Sequence, residues 1–276
     1  MKTLNEKYEA LKRFIKDKGE DGVVIAFSGG VDSATLAAVS QNILRDRVVA
    51  VTAESPTYTP EELKEAKKAA EEIGIKLLIV KTDELSDENF SKNPENRCYY
   101  CKKALLDRLH EVTDELGFKA VFEGTNFSDL AEHRPGFRAV KETENVYSPW
   151  VEAEFAKDEI RAVAEKLGLS VKNKPPLACL ASRIPYSERV TAEKLNRIGR
   201  AEQMIRKITG ARQLRVRDHN GLARIEVGKD ERALFCNVEL MDRMAAELKK
   251  LGFIYVTIDM EGYRTGSMLL AIDGRE

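Results

Sequence analysis

The stretch that most constrains the fold is VVIAFSGGVDS, residues 23–33. A short apolar, β-branched run ends at Phe27, Ser28-Gly29-Gly30 makes a turn, and Asp32 and Ser33 open a helical pattern over 32–44. The glycines let the backbone approach a ligand closely. The helix start then aims N–H groups and the positive end of its dipole at an anion. A glycine pair after a strand can be a plain tight turn, but the strand before it and the helix after it favour an anion loop. It is not a Walker A loop, because no Lys-Ser/Thr follows the second glycine.

Further strand-like and helix-like segments alternate with this one. Apolar runs at 48–53, 76–82 and 120–124 have the character of buried parallel strands, and helical patterns fill 60–73, 99–116 and 156–169. In the first of these helices Thr59 is the expected cap, Pro60 the first helical residue and Gly74 the stop. Strands separated by crossover helices predict an α/β fold with a doubly wound parallel sheet.

A proline-punctuated coil at 172–191 interrupts the pattern. Beyond it come a helix near 191–208, a hairpin over 212–227 around His-Asn-Gly, a helix near 238–251 and strands near 254–258 and 267–272. The expected domains are 1–185, carrying the nucleotide loop and the site of Cys98, Cys101 and Cys179, and a smaller α+β domain, 186–276, with a hinge near 180–188.

With 45 basic and 46 acidic residues, the net charge of −1 disfavours a partner held by a broad basic field, such as long nucleic acid. The N-terminal segment reads as a charged amphipathic helix, with Leu4, Tyr8, Leu11 and Ile15 on one face, and not as a signal peptide. No apolar run approaches the roughly 20 residues that span a bilayer. The chain is therefore expected to be cytoplasmic, without a membrane partner, and with reduced thiols.

Four cysteines are present, and two of them, Cys98 and Cys101, sit in NRCYYCKK. Such a pair can be a redox disulfide, half of a zinc site, part of an iron–sulfur site or an accident on a helix face. Cys179 lies in ACLAS, and Cys236, in ALFCNVEL, reads as a small buried hydrophobe. Tyr99 and Tyr100 are expected to pack beside the metal site or the helix start. Asp129, after the strand at 120–124, is a candidate Mg²⁺ ligand, with a helix cap as the plain alternative. Arg215 and Arg217 alternate on one strand and leave the same face, which suits a phosphate or carboxylate but equally a wet surface. Arg212 and Arg224 read as surface residues, His219 as part of the hairpin turn and His110 as lying on an exposed helix side. His133 has no assigned role.

Ser-Gly-Gly-x-Asp-Ser after a first strand resembles the pyrophosphate loop of the ATP pyrophosphatases, which include the synthetases of NAD and GMP and several tRNA-modifying enzymes. That resemblance implies nucleotide binding by Ser28, Gly29, Gly30, Asp32, Ser33 and Asp129, with ATP and Mg²⁺ as cofactors. GTNFSDLAEHRPGFRA, NRCYYCKKALL, ACLASRIPY and LRVRDHNGLARIE together resemble, over nearly the whole chain, the LarE family of ATP-dependent sulfur transferases in nickel-pincer cofactor biosynthesis.

The family resemblance implies a small-molecule substrate, pyridinium-3,5-biscarboxylate mononucleotide. One carboxylate is adenylated with release of pyrophosphate and then converted to a thiocarboxylate. It also moves Arg183, Arg215 and Arg217 toward substrate or phosphate binding. Family members divide by sulfur source. In one group a single cysteine, matching Cys179, gives up its own sulfur; in the other, three cysteines hold a [4Fe-4S] cluster whose open iron carries sulfide. With Cys98, Cys101 and Cys179, this chain matches the second group, and Cys179 is the catalytic candidate in either. A sulfide or other sulfur donor and a homo-oligomeric state, such as a hexamer, are further expectations. The competing readings are a tRNA thiolase and an ATP-binding regulator with a redox or zinc switch.

Overall fold

Val23, Val24 and Ile25 are fully buried in strand β1 (Val23–Ala26), because helices cover both faces of the sheet to which it belongs. The computed structural model describes residues 2–131, 135–175 and 178–268. They divide into two compact units, one formed by Met1–Glu84 and Asn96–Leu177, the other by Leu85–Glu95 and Ala178–Glu276. Residues 85–95 thus leave the first unit and pack with the second, and Cys179 belongs to the second unit.

In the first unit, α1 (Leu4–Lys18) precedes β1, and α2 (Val31–Leu44), β2 (Val48–Glu54), α3 (Pro60–Ile73) and β3 (Leu77–Lys81) follow it. After the excursion, which contains the short α4 (Glu88–Ser91), come α5 (Arg97–Leu116), β4 (Ala120–Phe122), α6 (Pro135–Glu142), β5 (Val146–Tyr147), α7 (Pro149–Glu152) and α8 (Lys157–Lys166). The strands form a parallel sheet in the order β3-β2-β1-β4-β5.

Alternation along β1 explains the layering. Val23 and Ile25 pack with α1, α2, α3 and α8, whereas Val24 faces α5 and α6. Each such fully buried side chain contributes about 1.5–3 kcal/mol. The chain moves outward from β1 to β3 and then returns to β4 on the other side of β1. The carboxyl ends of β1 and β4 therefore flank a switch point, where open α/β sheets bind ligands.

Local signals set the helix ends. Thr59 and Glu62 form a capping box, Pro60 opens α3, and Gly74 closes it in the left-handed conformation at φ 72°. Sequence patterns did not reveal β5, α6 or α7, because each is short and follows a loop rather than a long apolar period.

The second unit contains α9 (Ala192–Thr209), β6 (Leu214–His219), β7 (Leu222–Val227), α10 (Val238–Lys250) and β8 (Tyr255–Ile258). β6 and β7 form an antiparallel hairpin, and β8 joins β7 in parallel. Asn220 and Gly221 turn the hairpin with φ of 50° and 95°, so His219 is the last strand residue. Leu214 and Val216 enter the core with α9 and α10. Of the strand expected near 267–272, Ser267 and Met268 lie in a turn, and the remainder falls outside the described residues.

Candidate active site

At the end of β1, Gly29 has φ 66°, and a Cβ there would sit 2.6 Å from the Cα of Ala66 in α3. Only glycine allows this close approach. Ser28 and Ser33 brace the loop: their hydroxyls are 3.0 Å apart, Ser33 Oγ accepts from Ser28 N at 3.2 Å, and Ser28 Oγ accepts from Gly30 N at 3.3 Å. No side chain caps the start of α2. Its first N–H groups therefore face the carboxyl edge of the sheet, as an anion site requires.

Two lysines that sequence reasoning missed flank this loop. Lys157, at the start of α8, pairs with the Asp32 carboxylate. Lys174 donates to the Gly29 carbonyl at 2.9 Å and to Glu65 at 2.7 Å. Nothing in linear spacing ties either lysine to residues more than 100 positions away. Asn126, fully enclosed, donates to Asp32 at 3.4 Å. Asn126 and Asp129 also exchange backbone-to-side-chain bonds at 3.2 Å, so Asp129 caps its own turn and is linked through Asn126 to Asp32. Both carboxylates suit a Mg²⁺-bound phosphate.

Glu123, one residue beyond β4, is 2 % exposed. Lys102 reaches it at 2.9 Å, Thr125 at 2.8 Å, and Ser148 also donates to it. Burial alone would raise its pKa, but the Lys102 charge and these hydrogen bonds outweigh burial and hold the carboxyl below the usual range. Gly124 follows, where a Cβ would lie 3.2 Å from Ser33 N, so this segment seats directly against the nucleotide loop.

Cys98 and Cys101 lie in the first two turns of α5, where spacing by three puts them on one face. Cys98 is exposed and Cys101 half-buried. Tyr99 packs on α6, donating to Glu142 at 2.7 Å beneath the Arg138 guanidinium, and Tyr100 meets its ring edge-on. None of the four cysteines is in a disulfide, and among the described residues no three His, Cys, Asp or Glu side chains gather as a metal group. Three unbridged thiols with partial solvent access are nevertheless the donor set that an iron–sulfur cluster uses.

In the second unit, Cys179 precedes a 3-10 turn, Leu180–Arg183. Arg183 is 3 % exposed and pairs with Glu202, which lies on α9. Arg217 is 5 % exposed and pairs with Glu226 on β7. The Arg215 guanidinium lies over the Tyr263 ring and donates to the Leu214 carbonyl. Among the described residues no carboxylate hydrogen-bonds it. Burial and the nearby Arg183 charge lower its pKa.

Three expectations need correction. Cys236 is exposed, not buried, because it ends a 3-10 segment where Phe235 takes the core position. Arg224 is no surface residue: it pairs with Glu226 at 3.2 Å and Asp259 at 2.9 Å. His110 is half-buried, its ring 3.1 Å from the Glu144 carbonyl. Arg212 is exposed, as its sequence setting suggested. His133 lies outside the described residues.

A family model described as NAD synthase matches residues 3–108, the segment that contains the loop. The chain is 42 % identical over 265 residues to an uncharacterized protein of Synechocystis, covering 96 % of this chain and 97 % of the relative. It is 36 % identical over 269 residues to the pyridinium-3,5-bisthiocarboxylic acid mononucleotide synthase of Lactiplantibacillus plantarum, covering 97 % and 95 % of the two chains. The glutamine-hydrolyzing GMP synthase of Aeropyrum pernix is 27 % identical over 220 residues, covering 74 % of this chain and 42 % of the relative. Only the first part of the chain follows the NAD synthase model, whereas the mononucleotide synthase matches both units. The chain belongs to the LarE family of ATP-dependent sulfur transferases, with the nucleotide loop of the ATP pyrophosphatases.

Proposed function

We propose that this protein adenylates a carboxylate of pyridinium-3,5-biscarboxylic acid mononucleotide with ATP and converts it to a thiocarboxylate. The observation that carries this reading is the near-full-length likeness to the L. plantarum synthase, joined to an anion loop at the sheet's switch point. The loop N–H groups would hold the phosphates, with Lys157 and Lys174 close by to balance their charge. Asp32 and Asp129 would hold Mg²⁺, which neutralises charge as pyrophosphate departs. Adenylation has a plain purpose: a carboxylate oxygen leaves poorly, and AMP leaves well. Arg215 is the arginine best placed to meet a substrate anion, because its fork is not spent on a carboxylate.

Cys98, Cys101 and Cys179 would hold a [4Fe-4S] cluster through their thiolates, and with only three protein ligands such a cluster would be able to accept and deliver sulfide. Sulfur surrendered by Cys179 itself is the second reading, favoured by the bracing of the Cys179 carbonyl by Ser182 and Arg183. In that route the Cys179 thiolate attacks the acyl-adenylate and expels AMP. Loss of the Cα proton then cleaves the Cβ–S bond, leaving the thiocarboxylate and dehydroalanine.

Anaerobic purification with iron and sulfide analysis tests the source. The cluster reading expects a brown protein that loses iron in Cys98→Ala. A colourless reconstituted wild type whose Cys179 loses sulfur during turnover overturns it. Strong, salt-dependent tRNA binding would favour a tRNA thiolase instead. ATP binding without substrate-dependent pyrophosphate release would indicate a regulator.

A further inference from the structure

The carbonyl oxygen of Cys179 accepts three donors: Ser182 N at 3.0 Å, Ser182 Oγ at 2.7 Å and Arg183 Nη1 at 3.1 Å. The same Arg183 nitrogen reaches the Ala178 carbonyl at 2.6 Å. Its Nε and Nη2 take Glu202 at 2.8 and 3.2 Å. Glu202 in turn accepts from Val216 N at 3.1 Å, which ties the turn to β6. A second pair repeats the arrangement. Arg217 Nη1 donates to the Ser182 carbonyl at 3.0 Å, while Nε and Nη2 grip Glu226 at 3.0 and 2.6 Å. All four charged side chains are more than nine-tenths buried.

Guanidinium forks already filled by a buried carboxylate on one side and backbone carbonyls on the other have no free edge for an anion. Taking one up would draw the guanidinium away from a buried glutamate, leaving Glu202 to Arg206 and Glu226 to Arg224, a costly weakening of each pair. Burial without substrate contact is instead the arrangement that fixes a backbone, since neither partner can move without desolvating the other. A reacting group gains most when held in its attack geometry, and displacement by about 1 Å can cost about a hundredfold in rate.

We propose that Arg183–Glu202 and Arg217–Glu226 are positioning pairs that lock the Cys179 turn from beneath. The proposal rests on the reading of Cys179 as the sulfur-handling residue.

The test compares two products in the same mixture, pyrophosphate and thiocarboxylate, with full-length protein reconstituted anaerobically with iron and sulfide. Arg183→Lys keeps the charge but loses the fork that spans Glu202 and the two carbonyls. Thiocarboxylate formation is expected to fall tenfold or more, on the order of a lost positioning contact, with pyrophosphate release and substrate KM within about threefold of wild type. A substrate contact would instead raise KM more than about tenfold and leave saturated thiocarboxylate formation intact, which overturns the proposal. A parallel fall in both products with a lowered Tm overturns it too, because that is a merely structural role. Ser182→Ala guards against misfolding: it removes one donor from the Cys179 carbonyl and keeps both ion pairs. An uncoupling of about three- to tenfold at unchanged Tm is expected, and full coupling would contradict the proposal. A wild type without substrate-dependent pyrophosphate release would defeat the proposed function itself, a different and recognisable failure.

Discussion

The nucleotide loop and the Cys179 turn are both held rigid, but by opposite means. The loop is shaped by backbone: a left-handed Gly29 against Ala66, two serines bracing each other, and an uncapped helix start. Its charges, Asp32 with Lys157 and Lys174 with Glu65, remain partly exposed. The turn is shaped by charge: two Arg–Glu pairs enclosed beneath it, with no glycine in 178–183. A site that must admit and release a highly charged nucleotide benefits from exposed cations that can exchange partners. The sulfur-handling role proposed for Cys179 would benefit from charges that cannot.

The largest expected effect tests the buried side of this contrast. Arg183→Met leaves Glu202 with a buried, weakened partnership and should cost about 3–5 kcal/mol by urea unfolding, whereas Arg183→Met with Glu202→Leu should recover most of it. Next comes the backbone side: Gly29→Ala adds a Cβ 2.6 Å from Ala66 Cα at positive φ. We expect pyrophosphate release to fall by roughly a hundredfold, with about 1–3 kcal/mol lost in stability. Lys157→Met, in a cation able to exchange partners, should raise the KM for ATP about tenfold and shift stability by less than about 1 kcal/mol.

Acid should test the buried carboxylates of both regions. Glu202 and Glu123 are buried, and burial would raise both pKa values, but the arginine and lysine charges and the hydrogen bonds hold them below the usual carboxylate range. Lowered folded-state pKa values mean stability that is full above the unfolded value of about 4.3 and lost as pH falls through the folded values. Urea midpoints should therefore hold from pH 7 to about 5 and drop below that, and Glu123→Gln should flatten its share of the drop. The smallest effect is expected at exposed Cys236: Cys236→Ser should leave turnover unchanged and stability within about 0.5 kcal/mol.

Much of the first unit was legible because its signals are local. Apolar strand runs, Thr59–Pro60 and Gly74 specify elements from neighbouring residues alone, and the serine–glycine loop fixes the ligand edge. The pairings across the site were not legible. Lys157 on Asp32, Lys102 on Glu123 and Glu202 under Arg183 join residues far apart in sequence, and an isolated Glu or Lys reads as a wet helix face. The alternation of Arg215 and Arg217 correctly placed them on one face, but alternation cannot say whether that face is wet or covered. Cys236 misled for a related reason: an apolar neighbourhood does not say which side chain takes the interior, and Phe235 does.

The central claim is that ATP cleavage here is spent on a pyridinium carboxylate and ends in a carbon–sulfur bond. It is tested most directly by incubating the anaerobically reconstituted protein with Mg²⁺, ATP and pyridinium-3,5-biscarboxylic acid mononucleotide. Pyrophosphate is then quantified, and the mononucleotide is examined by mass spectrometry. The account predicts pyrophosphate only when the mononucleotide is present, together with replacement of a carboxylate oxygen by sulfur. Pyrophosphate release indifferent to the mononucleotide, or a mononucleotide recovered without sulfur after ATP is consumed, would contradict it.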